Sequence, residues 1–239
     1  MLDTYKFIEK YKRISIIGME KNVGKTTLLN KLIADIGTNK KLGLTSIGRD
    51  GEDIDVVTNT DKPRIYVRRG SIIATGRNCL AKCDITKEIL YVTDFTTPMG
   101  SIVIVRALSD GYVDIAGPSY NKQVKIVVEL MEKFGSEISI VDGALGRKST
   151  AISDVSEATI LSTGAALSLD MLKVVEETKK TVYFLKLNEA EKNIKEKGRA
   201  IYYSKFEKGK NEIVITDEND NIIYTEKMSE KLAEITSEE

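Results

Sequence analysis

The clearest chemical signal in the chain is a glycine loop that follows a short apolar run. Residues 14–17 lead into Gly18, and the loop ends in Gly24, Lys25, Thr26 and Thr27. An apolar strand, a glycine loop and the start of a helix, in this order, are typical of a phosphate-binding loop. In such a loop the backbone N–H groups and the helix N-terminus converge on an anion.

We therefore predict that residues 18–27 bind Mg·ATP. Lys25 is expected to reach the β- and γ-phosphates as a catalytic group, and the Thr26 hydroxyl is expected to ligate Mg²⁺. Five residues separate the two glycines, where the usual loop has four, so we interpret the loop as a variant. An ordinary strand-to-helix turn is the alternative, and the amphipathic helix that begins directly at the lysine argues against it. The predicted nucleotide-binding residues are Gly18, Lys21, Asn22, Val23, Gly24, Lys25, Thr26 and Thr27.

Acidic residues at two further strand ends are candidate Mg²⁺ ligands. Asp142 follows the apolar run 137–141, and a carboxylate at a strand tip is the physical form of a Walker-B element. Asp50 and Glu52 follow the run 42–47, and the carboxyl ends of parallel strands meet at one edge of a sheet. We predict Asp142 as a metal-binding and catalytic residue, with Asp50 or Glu52 as the second acid. A solvated polar turn is the alternative for residues 48–53.

The composition excludes several classes of function. Lys and Arg together number 36, as do Asp and Glu, so no overall charge favours nucleic acid or an anionic membrane. The absence of histidine excludes Ser-His-Asp and Cys-His catalysis and histidine-ligated zinc. Cys79 and Cys83 are too few for a disulfide framework, and buried thiols are favoured over a reactive pair. Without a signal peptide or a membrane-length apolar run, we expect a cytoplasmic protein.

The order of predicted elements indicates an α/β fold. We predict one P-loop NTPase domain over residues 1–239, with a mostly parallel sheet, flanking helices and a terminal β-hairpin at 212–225. A β-rich insertion is expected at residues 62–117, where short β runs and glycine turns replace the alternation. Within it, residues 101–116 are interpreted as a hairpin that turns at 109–111. We also predict a left-handed cap at Gly37 and a strand at 181–187.

Two resemblances extend these inferences. Residues 18–26 and 141–146 resemble the phosphate loop and the acidic Gly-Ala-x-Gly strand end of dethiobiotin synthetase-like P-loop proteins, with Asp142 in place of Glu. Residues 16–27, 141–149 and 158–165 look like proteins encoded beside clostridial amino-acid aminomutases, one group of which is the reactivase subunit of lysine 5,6-aminomutase. This second resemblance implies nucleotide-dependent rescue of a cobalamin- and pyridoxal-phosphate-dependent mutase.

Three functions are therefore open. The first is an ATPase that acts on a partner protein such as an aminomutase, the second a small-molecule ligase or kinase, and the third a nucleotide-binding scaffold without appreciable turnover. The absence of an Asn-Lys-x-Asp element favours ATP over GTP. A basic excess in the insertion indicates a docking surface for a partner or for a second copy, with a solvated sheet face as the alternative. Its residues are Arg64, Arg68, Arg69, Arg77, Lys82 and Arg106.

Overall fold

A computed structural model describes residues 6, 8–48, 64–143, 155–186, 212–216 and 222–227. The chain divides into two compact units, Met1–Lys180 and Thr181–Glu239. The single domain over residues 1–239 stays a prediction. In chain order the elements are β1 (Arg13–Gly18), α1 (Lys25–Ile36), β2 (Leu42–Ser46), β3 (Ile65–Val67), β4 (Ile72–Gly76), α2 (Arg77–Leu80), β5 (Lys87–Thr97), β6 (Gly100–Ala107), β7 (Gly111–Val113), α3 (Asn121–Lys133), β8 (Ile138–Asp142), β9 (Ala158–Ser162), α4 (Met171–Leu185), β10 (Glu212–Thr216) and β11 (Ile222–Lys227).

A seven-stranded sheet in the order β5-β6-β4-β2-β8-β1-β9 forms the centre of the first unit. The five strands from β4 to β9 in this order run parallel, and the β5–β6 hairpin joins antiparallel at the β4 side. Nearly every residue of β1, β2 and β8 is buried, as expected of parallel strands covered on both faces. This arrangement confirms the predicted α/β fold with a mostly parallel sheet.

Helices cover the two faces of this sheet. The buried residues of α1 are Leu29, Leu32, Ile33 and Ile36, whose helical spacing gives one apolar stripe that packs against β1, β2 and β8. On the other face α3 buries Val124, Val127, Val128 and Met131. Arg13, at the start of β1, donates to both carboxylate oxygens of Glu132 at 2.7 Å. This ion pair joins β1 to the end of α3.

The described part of the predicted insertion, residues 64–117, is β-rich, but its strands pair differently from the sequence prediction. The hairpin predicted over 101–116 is wrong, because β6 pairs with β5 and β4 while β7 pairs with β3 in a separate two-stranded sheet. The turn into β6 lies at Pro98 and Met99, followed by Gly100 at φ 86°. A positive φ suits glycine, which explains why the chain reverses here.

Two further local predictions are wrong. Residues 181–185 belong to α4 and not to a strand, because Lys186 N–H donates to the Val182 carbonyl at 3.2 Å and continues the helical pattern. The β-branched and aromatic composition of 181–184 favours a strand in isolation, and the helix that begins ten residues earlier overrides it. Gly37 ends α1 at φ −63°, so its cap is not left-handed. The predicted terminal hairpin is confirmed, since β10 and β11 pair antiparallel.

No helix among the described residues is long and apolar enough to cross a membrane.

The segment after β7 packs against the carboxyl end of β2. Gly117 N–H donates to Ser46 Oγ at 2.9 Å, and Gly48 N–H donates to the Pro118 carbonyl at 3.0 Å. A Cβ on Gly117 would lie 1.8 Å from the Ser46 carbonyl oxygen and 2.7 Å from Thr45 Oγ1. Only glycine allows the two backbones to approach this closely.

We therefore expect Gly117→Ala to lower the free energy of unfolding by about 3 kcal/mol or more, because backbone on both sides must move. Gly164→Ala is the matched control, since no atom lies within 4 Å of the added Cβ. The control should change stability by no more than about 0.5 kcal/mol. Urea unfolding of both variants measures the difference, and equal midpoints would contradict the close approach.

Candidate functional site

The glycine loop begins where the buried strand β1 ends. Gly18 is the last residue of β1, and Met19 N–H donates to the Ser162 carbonyl of β9 at 2.8 Å. The side chains of Met19 and Val23 are buried, whereas Glu20, Lys21 and Asn22 are exposed. The loop is thus attached to the sheet at two apolar residues and exposes the polar residues between them.

Two residues of the loop adopt left-handed backbone conformations. Asn22 has φ 60° and Gly24 has φ 84°. Asparagine and glycine are the residues that adopt this region at least cost. Gly24 then precedes α1, and its carbonyl accepts the first helical hydrogen bond from Leu28 N–H at 2.9 Å. No atom lies within 4 Å of an ideal Cβ at Gly24, so its backbone is open to close approach.

Lys25 folds back over the loop instead of extending into solvent. Its Nζ donates to the Glu20 carbonyl at 3.1 Å. A Cβ on Gly18 would lie 2.8 Å from this Nζ and 2.7 Å from Val23 Cγ2. Because Gly18 has no side chain, the side chains of Lys25 and Val23 can pack over it. The ammonium of Lys25 therefore lies directly above the end of β1.

Asp142 lies at the tip of the strand next to β1. In the parallel ladder of β1 and β8 it is opposite Ile16, and Gly143 N–H donates to the Ile16 carbonyl at 2.8 Å. Its own carbonyl accepts from Ile47 N–H at 2.8 Å, and its Oδ1 is buried. A carboxylate and the glycine loop therefore share one edge of the sheet, on adjacent strands.

The connections after β1 and β8 run in opposite directions. From β1 the chain passes through α1 and crosses β8 to reach β2. From β8 it crosses β1 to reach β9, and Val155 on this connection packs in the cluster of α3, on the face opposite α1. Adjacent parallel strands whose connections diverge leave a crevice between their loops, where α/β proteins bind ligands.

The structure brings nine of the predicted site residues to one edge of the sheet. Lys21, Asn22, Gly24 and Thr27 are exposed, Lys25 and Thr26 are half-buried, and Asp142 is half-buried beside them; Gly18 and Val23 complete the set. The Val23 side chain packs against Gly18, so residue 23 offers a ligand only its backbone. Asp50 and Glu52 lie outside the described residues.

Sequence reasoning missed the part that β9 plays at this edge. The Ser162 carbonyl holds the first residue of the glycine loop, and the ladder places Gly18 opposite Ser162. The strand at 158–162 was predictable from its apolar pattern. Its position beside β1 was not, because strand neighbours far apart in sequence leave no local signal.

The two cysteines behave as structural thiols. Cys79 is buried, and the Cys83 Sγ–H donates to the Cys79 carbonyl at 3.2 Å. Burial raises the pKa of Cys83 above its usual value, although Lys87 and Arg64 act in the opposite direction. The protonated form is therefore favoured, and a thiol is less reactive than a thiolate. Within the described ranges, no three or more His, Cys, Asp and Glu side chains come together as a group that could hold a metal ion by themselves.

Intramolecular pairs neutralise part of the predicted basic surface. Arg64 lies 2.9 Å from Asp84, whose hydrogen bond raises the pKa of the guanidinium, and Arg106 lies 2.8 Å from Glu88. Arg64 also lies 5.3 Å from the centre of the Tyr112 ring. Arginines held in this way are less available to a partner, so the charge open to a partner is smaller than the sequence count indicates.

The fold defines an α/β protein with a mostly parallel sheet and a glycine loop at the carboxyl end of β1. No protein-family model, curated protein or solved structure matches the chain.

Proposed function

We propose that residues 18–27 bind Mg·ATP and that the chain hydrolyses it while acting on a partner protein. The observation that carries the proposal is the position of Lys25, whose ammonium is held over Gly18 and the Glu20 carbonyl at the end of β1. A cation fixed above a glycine loop, with the first amides of a helix beside it, is a site for an anion.

The chain offers a suitable residue for each part of the nucleotide phosphates and the metal. The backbone amides at the start of α1 and the Lys25 ammonium suit the phosphate oxygens, and Gly24 lets them approach the backbone. The Thr26 hydroxyl and the Asp142 carboxylate are oxygen donors of the kind that Mg²⁺ prefers. Bound Mg²⁺ would supply neutralisation of phosphate charge, and the protein residues would orient the phosphates.

Two observations favour a partner protein over a small substrate. Met171 and Leu172 are 74% and 75% exposed, and none of the described side chains of α4 is buried. Clustered apolar side chains that are exposed mark interaction surfaces more often than single exposed ones do. The chain also has no histidine for acid–base work on a metabolite. The resemblance to aminomutase-associated proteins makes a cofactor-dependent aminomutase the first partner to test.

Two alternatives remain as proposals. A dethiobiotin synthetase-like ligase or kinase would use the same loop on a small carboxylate, and a scaffold would bind nucleotide without turning it over. A second copy of the chain is the other candidate partner, since the basic surface can serve either role.

Lys25→Ala should lower ATP affinity by about ten- to a hundredfold, because it removes a charge-assisted contact worth about 1.5–3 kcal/mol. Titration calorimetry with Mg·ATP measures the effect. Lys31→Ala is the control, since Lys31 lies on the same helix in an exposed pair with Asp35 and outside the loop. Unchanged affinity in a folded Lys25→Ala variant would rule out the nucleotide site.

Asp142→Asn should abolish the dependence of nucleotide binding on Mg²⁺ and should lower hydrolysis, because it removes the carboxylate charge and keeps the side-chain shape. The measurement is ATP affinity and turnover with and without Mg²⁺. Asp94→Asn makes the same chemical change on an exposed residue of β5 and should have no effect. Survival of both Mg²⁺-dependent activities in Asp142→Asn would show that this residue is not the metal ligand.

Basal ATP hydrolysis should be slow and should rise when the partner enzyme is added. The measurement is phosphate release by the purified protein, first with small carboxylates and then with candidate aminomutases. Reversal of Arg68 and Arg69 to glutamate should weaken the stimulation and leave nucleotide affinity intact, since neither side chain lies in the glycine loop. Fast turnover with a metabolite alone would replace the partner hypothesis with the ligase.

A further inference from the structure

A groove of about 570 Å³ lies between α2 and the β5–β6 hairpin, on the face of the sheet that carries α1. We call it the α2–β5 groove. Its apolar residues come from all three elements, and two cations accompany them. It is lined by Arg77, Leu80, Ala81, Lys87, Ile89, Val92 and Val103.

A β-bulge creates the apolar wall of this groove. Ile89 is opposite Val105 in the ladder, whereas Tyr91 is opposite Ile104 and Val92 is opposite Val103. Leu90 is thus one extra residue on β5, and it reverses the alternation of side chains beyond it. Ile89 and Val92, which would point to opposite faces of a regular strand, both reach the face of Val103.

The wall remains open to solvent. Ile89 is 63% exposed and Val92 is 54% exposed, whereas Val103 is 2% exposed and forms the floor. Two adjacent aliphatic side chains that are more than half exposed contribute little to folding. A partner that covered them would gain the burial that the chain itself does not provide.

The groove is positively charged, and none of the described residues that line it is acidic. Arg77 is exposed and Lys87 is half-buried, with its Nζ donating to the Leu80 carbonyl at 2.8 Å. The acidic residues nearest to Lys87 in sequence form ion pairs with other residues, since Asp84 pairs with Arg64 and Glu88 pairs with Arg106. Among the described residues, neither Arg77 nor Lys87 has an acidic partner.

We propose that the α2–β5 groove binds a peptide segment of a partner protein that carries aliphatic side chains next to a carboxylate. The carboxylate meets Arg77 and Lys87, and the aliphatic side chains cover Ile89 and Val92. A small-molecule site encloses most of its ligand, and this groove has an open side instead. An apolar centre with a charged rim is the pattern of a protein interface.

This binding needs neither nucleotide nor turnover. In the order of the sheet, β8, β2 and β4 separate β1 from β6, so the groove lies roughly 20 Å from the glycine loop at a strand spacing of about 4.8 Å. Failure at one site therefore leaves the other site testable.

The test is fluorescence anisotropy with a set of short fluorescein-labelled peptides that covers the arrangements of leucine and glutamate. At least one peptide should bind saturably to the full chain without nucleotide. Arg77→Glu and Ile89→Ser should each weaken its binding by about tenfold or more. The same peptide with lysine in place of glutamate should not bind.

Matched controls make a charge reversal and an Ile-to-Ser change on the opposite face of the sheet. Lys125→Glu and Ile126→Ser alter exposed residues of α3 and should leave the affinity unchanged. Thermal unfolding by circular dichroism checks that each variant folds. If Ile89→Ser does not fold, the exposed Arg77→Glu substitution decides the matter.

Four results would overturn the proposal. The first is the absence of saturable peptide binding, and the second is equal binding of the lysine peptides. The third is an equal loss of peptide affinity in the control variants. The fourth is that dodecanoate binds with the same sensitivity to Arg77→Glu while no peptide binds. A dimer that Arg77→Glu dissociates, detected by sedimentation in the absence of peptide binding, would instead assign the groove to a second copy.

Discussion

The burial of β1 between β8 and β9 is the constraint on which the rest of the site depends. The parallel pairing of β1 with a strand on each side fixes the register of the strand ends. Gly18, Asp142 and Ser162 therefore lie at one edge of the sheet. The loop after β1 then has a rigid base of buried strand, and Lys25 can fold over Gly18 because no Cβ occupies that space. Displacement of β1 relative to β8 would separate the carboxylate of Asp142 from the ammonium of Lys25.

The sequence predicts the elements of this fold much better than their partners. The buried runs of β1, β2 and β8 and the apolar stripes of α1 and α3 have clear periodicity, so their positions follow from local pattern. The pairing of β6 with β4 and β5 depends on contacts between distant residues, and the hairpin predicted at 101–116 failed for that reason. The strand predicted at 181–187 is wrong over 181–185, because the helix that begins at Met171 continues through residues with β propensity.

The same distinction applies to the candidate site. Residues 18–27 could be predicted as a candidate site from local sequence, because the loop and the helix start are contiguous. Asp142 could be predicted as a candidate site residue because it ends an apolar run. Their proximity rests on the neighbouring positions of β1 and β8, which only the sheet order reveals. The segment 115–118 adds a contact with β2 that local sequence pattern does not specify. It contacts the carboxyl end of β2 through the hydrogen bonds of Gly117 and Pro118.

The bulge at Leu90 also affects whether other chains can pair with the β5 edge of the sheet. In the described sheet β5 is an edge strand of eleven residues, and a regular edge of that length is a template on which further chains add without limit. Register shifts at Leu90 and between Val92 and Thr96 interrupt the edge, so a second strand cannot pair along its whole length. The irregularity that exposes two aliphatic side chains thereby also makes this edge a poor template for open-ended growth of the sheet.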